Sequence, residues 1–260
     1  VSTPEALFDS AGPIAWLTFN RPDARNAMTW AMYDALAAAC DRVDADPAVQ
    51  LLVLRAAGDA FAAGTDIRQF TQFESAADGV AYERRLDAVI DRLEAVEVPT
   101  IAQVQGVAAG GGCIIALACD LLVCTPSATF GVPIARTLGN CLSASNYARL
   151  VDRIGPARTK DLLFTGRFLD AAEAQAIGLV TRLAKPDEIE RVVRELAEAI
   201  LSNAPLTLRA TKIALSRLAQ HRRPDPRSAD DLAEACYGSE DFREGVQAFL
   251  ARRRPRFTGR

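Results

Sequence analysis

The chain has 260 residues, 50 % hydrophobic and 24 % charged, a composition ordinary for a soluble globular protein with one large core. A formal net charge of −3 and an isoelectric point near 5.4 argue against a chain built to grip nucleic acid, and the absence of any run near the ~20 apolar residues of a membrane span, or of a charged-then-apolar start, gives a cytoplasmic expectation. Six cysteines (Cys40, Cys113, Cys119, Cys124, Cys141, Cys236) without a C-x-x-C pair read as reduced thiols, and a single histidine, His221, in a polar stretch read as a surface loop, leaves no metal site or Ser-His-Asp triad to expect.

Ile14–Phe19 alternates, with β-branched and aromatic residues, and reads as a strand that Asn20-Arg21-Pro22-Asp23 breaks. Thr29 is placed to cap a helix in which Met32, Leu36, Ala39 and Val43 recur at helical spacing until Asp46-Pro47. Leu51-Leu52-Val53-Leu54 then reads as a buried parallel strand, giving a β-α-β order. A turn-rich loop over 57–66 and a polar segment precede a helix expected over 82–95. Pro99 opens a strand through Val104, the run Gly106-Val107-Ala108-Ala109-Gly110-Gly111-Gly112 leads into an apolar helix over 113–118, and Asp120 precedes the strand Leu121–Cys124. Beyond Phe130-Gly131-Val132-Pro133 the pattern is helical, with helices over 143–151, 157–165, 171–177, 187–202, 206–219, 230–236 and 242–252. The expected organisation is a core over 1–200 and a helical region over 201–260, with no low-complexity linker between them. The basic tail Arg252-Arg253-Arg254-Pro255-Arg256 reads as solvated or subunit-contacting.

Two glycine-containing turns each follow a predicted strand and run into a helix, so each presents helix-start N–H groups at a strand's carboxyl end, where anionic atoms bind. At the first, Gly64 permits a tight bend before Thr65 and Asp66; at the second, Gly110-Gly111-Gly112 lets backbone approach a ligand with no Cβ in the way. Two such amides aimed at one oxygen form an oxyanion hole, worth roughly 3 kcal/mol of transition-state stabilisation per donor. The competing nucleotide reading fails, because 106–112 is neither G-x-G-x-x-G nor a turn ending in Gly-Lys-Ser/Thr.

These segments in this order resemble the enoyl-CoA hydratase/isomerase (crotonase) family. The matching stretches are Leu17-Thr18-Phe19-Asn20-Arg21-Pro22 with Asn26-Ala27, Phe61-Ala62-Ala63-Gly64-Thr65-Asp66-Ile67, the glycine run 106–112, Cys119-Asp120, Phe130-Gly131-Val132-Pro133, Thr165-Gly166, and Ala171-Ala172-Glu173-Ala174 with Gly178-Leu179-Val180. The resemblance implies an α/β fold, a crotonase-like spiral of ββα units with a C-terminal helical part over 201–260 that assembles homotrimers or dimers of trimers. It also implies an acyl-CoA substrate of fatty-acid type, with no cofactor beyond the coenzyme A that the substrate carries. It assigns the two oxyanion amides to Thr65 and Gly111, and coenzyme A contacts to Asp23, Ala24, Arg25, Ala63, Asp66 and Ile67. Arg68 stands where a base meets a CoA phosphate, and Phe257 with its neighbouring arginines where a tail reaches a partner subunit's CoA.

Two positions depart from that pattern. Where the family's hydratases carry glutamates, two residues after the glycine run and just after the Phe-Gly-x-Pro turn, this chain has Ile114 and Ile134. Hydration needs a water deprotonated on one side and a proton delivered to Cα, and isoleucine performs neither step, so ordinary hydratase activity is expected to be weak. Arg136, Asn140, Cys141, Ser143 and Tyr147 replace a stretch that is mostly small in hydratases; Arg136, Asn140 and Ser143 join the two isoleucines as the expected substrate pocket. Asp78 and Glu83 are the nearest carboxyls to stand in for the missing pair. Three functions fit: a lyase or isomerase of this family with a modified site, a decarboxylase of malonyl-type thioesters in which Arg136 orients the departing carboxylate, or a non-catalytic acyl-CoA binder.

Overall fold

A computed structural model describes residues 4–260; the first three residues of the expected 1–200 core lie outside the described residues. β1 (Ala6–Ala11) turns at Gly12 and pairs antiparallel with β2 (Ile14–Phe19), Ala6 lying opposite Phe19. β1 escaped the sequence pattern because its large apolar residues, Leu7 and Phe8, are adjacent rather than alternating. α1 (Trp30–Ala45) begins where Thr29 Oγ1 accepts from the Met32 N–H, and β3 (Leu51–Ala56) then lies parallel to β2. α2 (Ala76–Glu94) starts ahead of the expected residue 82, because Asp78 Oδ2 accepts from the Ser75 N–H at 2.8 Å and closes a capping box.

β4 (Thr100–Val104), β5 (Val107–Ala109) and α3 (Gly111–Ala118) follow, then β6 (Leu121–Cys124), β7 (Thr129–Gly131) and α4 (Ile134–Thr137). The large sheet runs β1-β2-β3-β4-β6, and β5-β7 form a second, small sheet. The chain therefore visits the large sheet, the small sheet and a helix in turn, twice over, and a bridge from Ala62 to Ala108 brings the loop after β3 onto the small sheet as well. This is a spiral of ββα units. α5 (Ala144–Thr165) contains both helices expected over 143–165, which meet at a bend where Gly155 takes φ 77° ahead of Pro156. β8 (Leu169–Asp170) joins the small sheet, α6 (Ala171–Ala176) follows, and β9 (Arg182–Leu183) extends the large sheet beside β6.

Alternate residues of the parallel strands face opposite sides. Leu17, Leu52, Leu54 and Ala102 pack in the main core with α1, α2 and α3, whereas Trp16, Leu51, Val53, Ile101 and Val123 pack against α7 (Ile189–Leu201) through Val193 and Ala197. α8 (Pro205–His221) buries none of its residues, and His221 is its exposed last residue rather than part of a loop. α9 (Asp230–Tyr237) and α10 (Glu240–Leu250) return to the main core, contributing Ala233, Tyr237, Phe242 and Val246. Among the described residues no helix is long and apolar enough to cross a membrane.

Candidate active site

The site is assembled by three loops held together by backbone hydrogen bonds and by the Asn26 side chain. Buried Asn26 donates from Nδ2 to the Ala57 and Ala60 carbonyls, both at 2.8 Å, and accepts from the Arg21 N–H at 2.7 Å, pinning the loop after β3 to the turn after β2. The Ala109 N–H donates to Ala62 O at 2.9 Å, laying that loop along β5. The approach leaves no room for side chains: a Cβ on Gly112 would stand 2.5 Å from Ala62 O, and one on Gly106 1.9 Å from Asp59 O. Gly64, at φ 106°, and Gly110, at φ 49°, turn the two strands' exits toward each other. A Cβ on Gly111 would lie only 3.3 Å from Thr65 Oγ1.

The Met28 N–H donates to Gly64 O and the Asp66 N–H to Met28 O, a bridging pattern that passes over the N–H of Thr65 between them. Gly111 is the first residue of α3, where an N–H has no acceptor within the helix. Among the described residues neither amide donates to a protein acceptor. Both residues line one cavity of about 100 Å³. The partial positive charge at the start of α3 adds to the preference for an anion there.

Ile114, fully buried, and half-buried Ile134 also line this cavity, so its wall is apolar where the resemblance would place carboxylates. Behind Thr65, its Oγ1 lies 2.8 Å from Tyr33 Oη and 2.7 Å from Tyr82 Oη. Burial pushes both phenols well above their ordinary value, so this chain of hydroxyls is neutral and fixes the Thr65 side chain. Neither tyrosine stood out in the sequence. Tyr33 falls within the apolar period of α1 and reads there as core.

Of the two carboxyls named as stand-ins, Asp78 is committed to the capping box and does not line the cavity. Glu83 does line it. It is 4 % exposed, with Oε1 accepting from Tyr237 Oη at 2.5 Å and Oε2 from the Ser143 N–H at 2.9 Å. Burial pushes its carboxyl up to about 8, aided by the nearby Asp87 and opposed by the Tyr237 and Ser143 hydrogen bonds.

The rest of the expected pocket is only partly gathered. Asn140 lines the cavity; its Nδ2 donates to Tyr237 Oη at 3.0 Å, and its buried Oδ1 has no hydrogen-bond partner among the described residues. Ser143 does not line it, because its polar groups are turned inward: Oγ donates to Asp87 Oδ1 at 2.7 Å and caps α5 by accepting from the Asn146 N–H. Arg136 also lies elsewhere. It is exposed on α4, packed where a Cβ on Gly166 would meet its own Cβ at 2.8 Å, and it borders the surface groove of Phe249, Arg253 and Phe257. A four-residue helix turns it away from the Ile134 side, so it is not set to orient a carboxylate in the cavity.

The expected coenzyme A segments do come together. Asp23 and Ala24 form a single 3-10 turn that ends at Arg25 in left-handed conformation, and Arg25 O accepts from the Ala63 N–H at 3.0 Å. Ala63 and Ile67 line the cavity. Asp66 serves the structure, since its carboxylate caps the next turn and pairs with Arg68 (2.6 Å) and Arg21 (3.2 Å), which holds it down at about 2, mainly through Arg68. The Arg68 side chain remains 69 % exposed at the rim.

A family profile described as enoyl-CoA hydratase/isomerase matches residues 9–260. A probable enoyl-CoA hydratase of Mycobacterium tuberculosis is 34 % identical over 245 residues, covering 94 % of each chain, and a crotonyl-CoA hydratase of Syntrophomonas wolfei is 35 % identical over 253 residues, covering 96 % of each. Among solved structures, a methylmalonyl-CoA decarboxylase in complex with 2-nitronate-propionyl-CoA superposes with a TM-score of 0.90 at 25 % identity over the full length of both chains. The chain belongs to the enoyl-CoA hydratase/isomerase family of acyl-CoA enzymes.

Proposed function

We propose that this protein binds an acyl-CoA with its thioester oxygen between the Thr65 and Gly111 amides and stabilises the enolate formed there, needing no cofactor beyond the coenzyme A of the substrate. The observation that carries this is the convergence of two N–H groups without protein acceptors on one cavity. Coenzyme A would run out along Ala63 and Ile67 to the 23–25 turn, with Arg68 at the rim for a phosphate. Ile114 and Ile134 replace the two groups that hydration requires, so addition of water across an enoyl thioester is slower than in a two-glutamate relative by ~10²–10⁴-fold.

A second reading, loss of CO2 from a malonyl-type thioester, is favoured by the apolar wall and by the full-length superposition on a methylmalonyl-CoA decarboxylase. An apolar wall desolvates the substrate carboxylate, and the two amides take up the charge as CO2 departs. Since Arg136 lies outside the cavity, the Arg136→Ala variant is expected to keep this activity. The deciding experiment assays crotonyl-CoA hydration and CO2 release from malonyl- and methylmalonyl-CoA side by side, with the rise in melting temperature on adding acyl-CoA as a binding control. Hydration at the rate of a two-glutamate relative would refute the role given to the isoleucines; binding without turnover of any of these thioesters would leave a binding protein.

A further inference from the structure

We propose that Glu83 is the catalytic proton-transfer residue of this site, exchanging a proton with the α-carbon of a thioester whose carbonyl oxygen rests on the Thr65 and Gly111 amides. The inference rests on the enolate reading above and supplies the acid that the two isoleucines do not.

Among the described residues the other buried carboxylates, Asp66 and Asp87, are paired with arginines, and so is half-buried Glu94. Asp87, one turn further along α2, lies 3.5 Å from Arg149 Nη1, and Glu94 lies 3.1 Å from Arg149 Nε and 2.6 Å from Arg223 Nη1. That is how a fold keeps a structural acid inside. Glu83 is more deeply buried than any of these yet has no cation partner among the described residues, and it is the one carboxyl on the cavity wall that also carries Thr65, Gly111 and Ile114. Glu83 thus shares one cavity wall with the two oxyanion residues, where a group must sit to meet a thioester held on their amides. Tyr237 from α9 and the Ser143 N–H at the start of α5 fix both oxygens, the support that a positioned acid needs.

The groups facing Glu83 set its proton affinity. From α2 itself come Asp87 and Tyr82, from α1 Tyr33, and from α9 Tyr237. From the 141–147 side come Cys141 and Tyr147, and beyond them Arg149 pairs with Asp87, Asp91 and Glu94 rather than with Glu83. Every one of these is neutral or negative except Arg149, whose charge is already compensated. With burial raising it to about 8, Glu83 is a neutral acid near pH 7. That is the form wanted when an enolate is left in the site: the Glu83 O–H bond breaks as a Cα–H bond forms, the enolate double bond supplies the electron pair, the thioester C=O re-forms, and the Glu83 carboxylate regains a proton from water. In reverse, the ionised residue removes an α-proton.

The test uses the full chain and propionyl-CoA in D2O, following deuterium entry at Cα by mass spectrometry across pH 6 to 10. Exchange is expected to rise with pH and level off above about 8, as the base form accumulates. Glu83→Gln should reduce it by ~10²-fold or more while leaving the propionyl-CoA rise in melting temperature intact. Tyr237→Phe removes a hydrogen bond that favours the ionised form, so its exchange profile should move to higher pH, which a purely structural role would not produce. Exchange at the native rate in Glu83→Gln overturns the proposal, as does a native protein that binds propionyl-CoA without exchange; in both cases the two-amide reading stands. A native protein that propionyl-CoA does not stabilise overturns that underlying reading instead, and this inference with it.

Discussion

A carboxyl that is buried without a cation ties stability to pH in a definite direction. Glu83 is raised to about 8 in the folded chain against an ordinary 4.5. Below pH 4.5 both folded and unfolded states hold the proton, and the contribution is fully present; between 4.5 and about 8 only the folded state holds it, so stability falls as pH rises through that window. One proton corresponds to a slope of roughly 1.4 kcal/mol per pH unit. Urea unfolding of the native chain and of Glu83→Gln between pH 5 and 8 isolates this group from others that titrate there: the variant should lose that increment of slope and be relatively more stable at the alkaline end. Equal slopes in the two proteins would show that Glu83 is ionised when folded. The sequence displays Ile114 and Ile134 plainly, because they follow recognisable turns. It does not display the state of Glu83, which depends on a tyrosine 154 residues further on. The same holds for Arg136 and Ser143, whose types suited a pocket but whose directions are set by a short helix and by an N-cap.

At the scale of elements, α2 and α9 meet through a glycine. Gly79 lies one turn before Glu83 on the same face of α2, and a Cβ there would stand 2.1 Å from Tyr237 Cγ. The missing side chain lets the Tyr237 ring lie against the helix with its hydroxyl at Glu83. Alanine is ~1 kcal/mol better than glycine within a helix, so a gain is the naive expectation for Gly79→Ala. Overpacking against the base of a buried ring outweighs it, and we expect a net loss of about 1–3 kcal/mol. In a Tyr237→Gly background the ring and the Tyr237 Cβ, which would stand 2.3 Å from the new Cβ, are both gone, and Gly79→Ala should then cost nothing or stabilise; chemical denaturation of the four proteins in the cycle reads this coupling. Additive effects would mean that the ring does not rest on Gly79. The strands and helices themselves were largely legible, since β2, β3, β4 and β6 carry continuous or alternating apolar runs and α1 a clear cap. The start of α2 was not, because a capping box and not an apolar period marks it, and the α2–α9 contact was invisible because a glycine in a helix reads locally as a weakness.

For the molecule as a whole, α8 is the element the single chain does not explain. It is held by polar contacts along one edge: Lys212 Nζ lies 2.8 Å from both Val98 O and Asp120 Oδ2, and Arg209 Nη2 2.5 Å from Glu97 Oε2. No residue of its 17 is buried, and Leu206, Leu215 and Leu218 are 79, 61 and 62 % exposed. A helix of that length is marginal in water unless an apolar face is covered, and each leucine covered contributes about 1.5–3 kcal/mol. Leu215 and Leu218, three residues apart, share a face. We expect a second copy of the chain on that face, which would agree with the trimer that the family resemblance implies. Light scattering at micromolar concentration should therefore give a mass of three chains or a multiple of three. The double variant Leu215→Glu/Leu218→Glu should shift it toward one chain with its far-ultraviolet circular dichroism largely kept, because α8 adds nothing to either core cluster. A native protein that is monomeric at these concentrations would remove the role given to α8; a variant that keeps the native mass would place the subunit contact on another face.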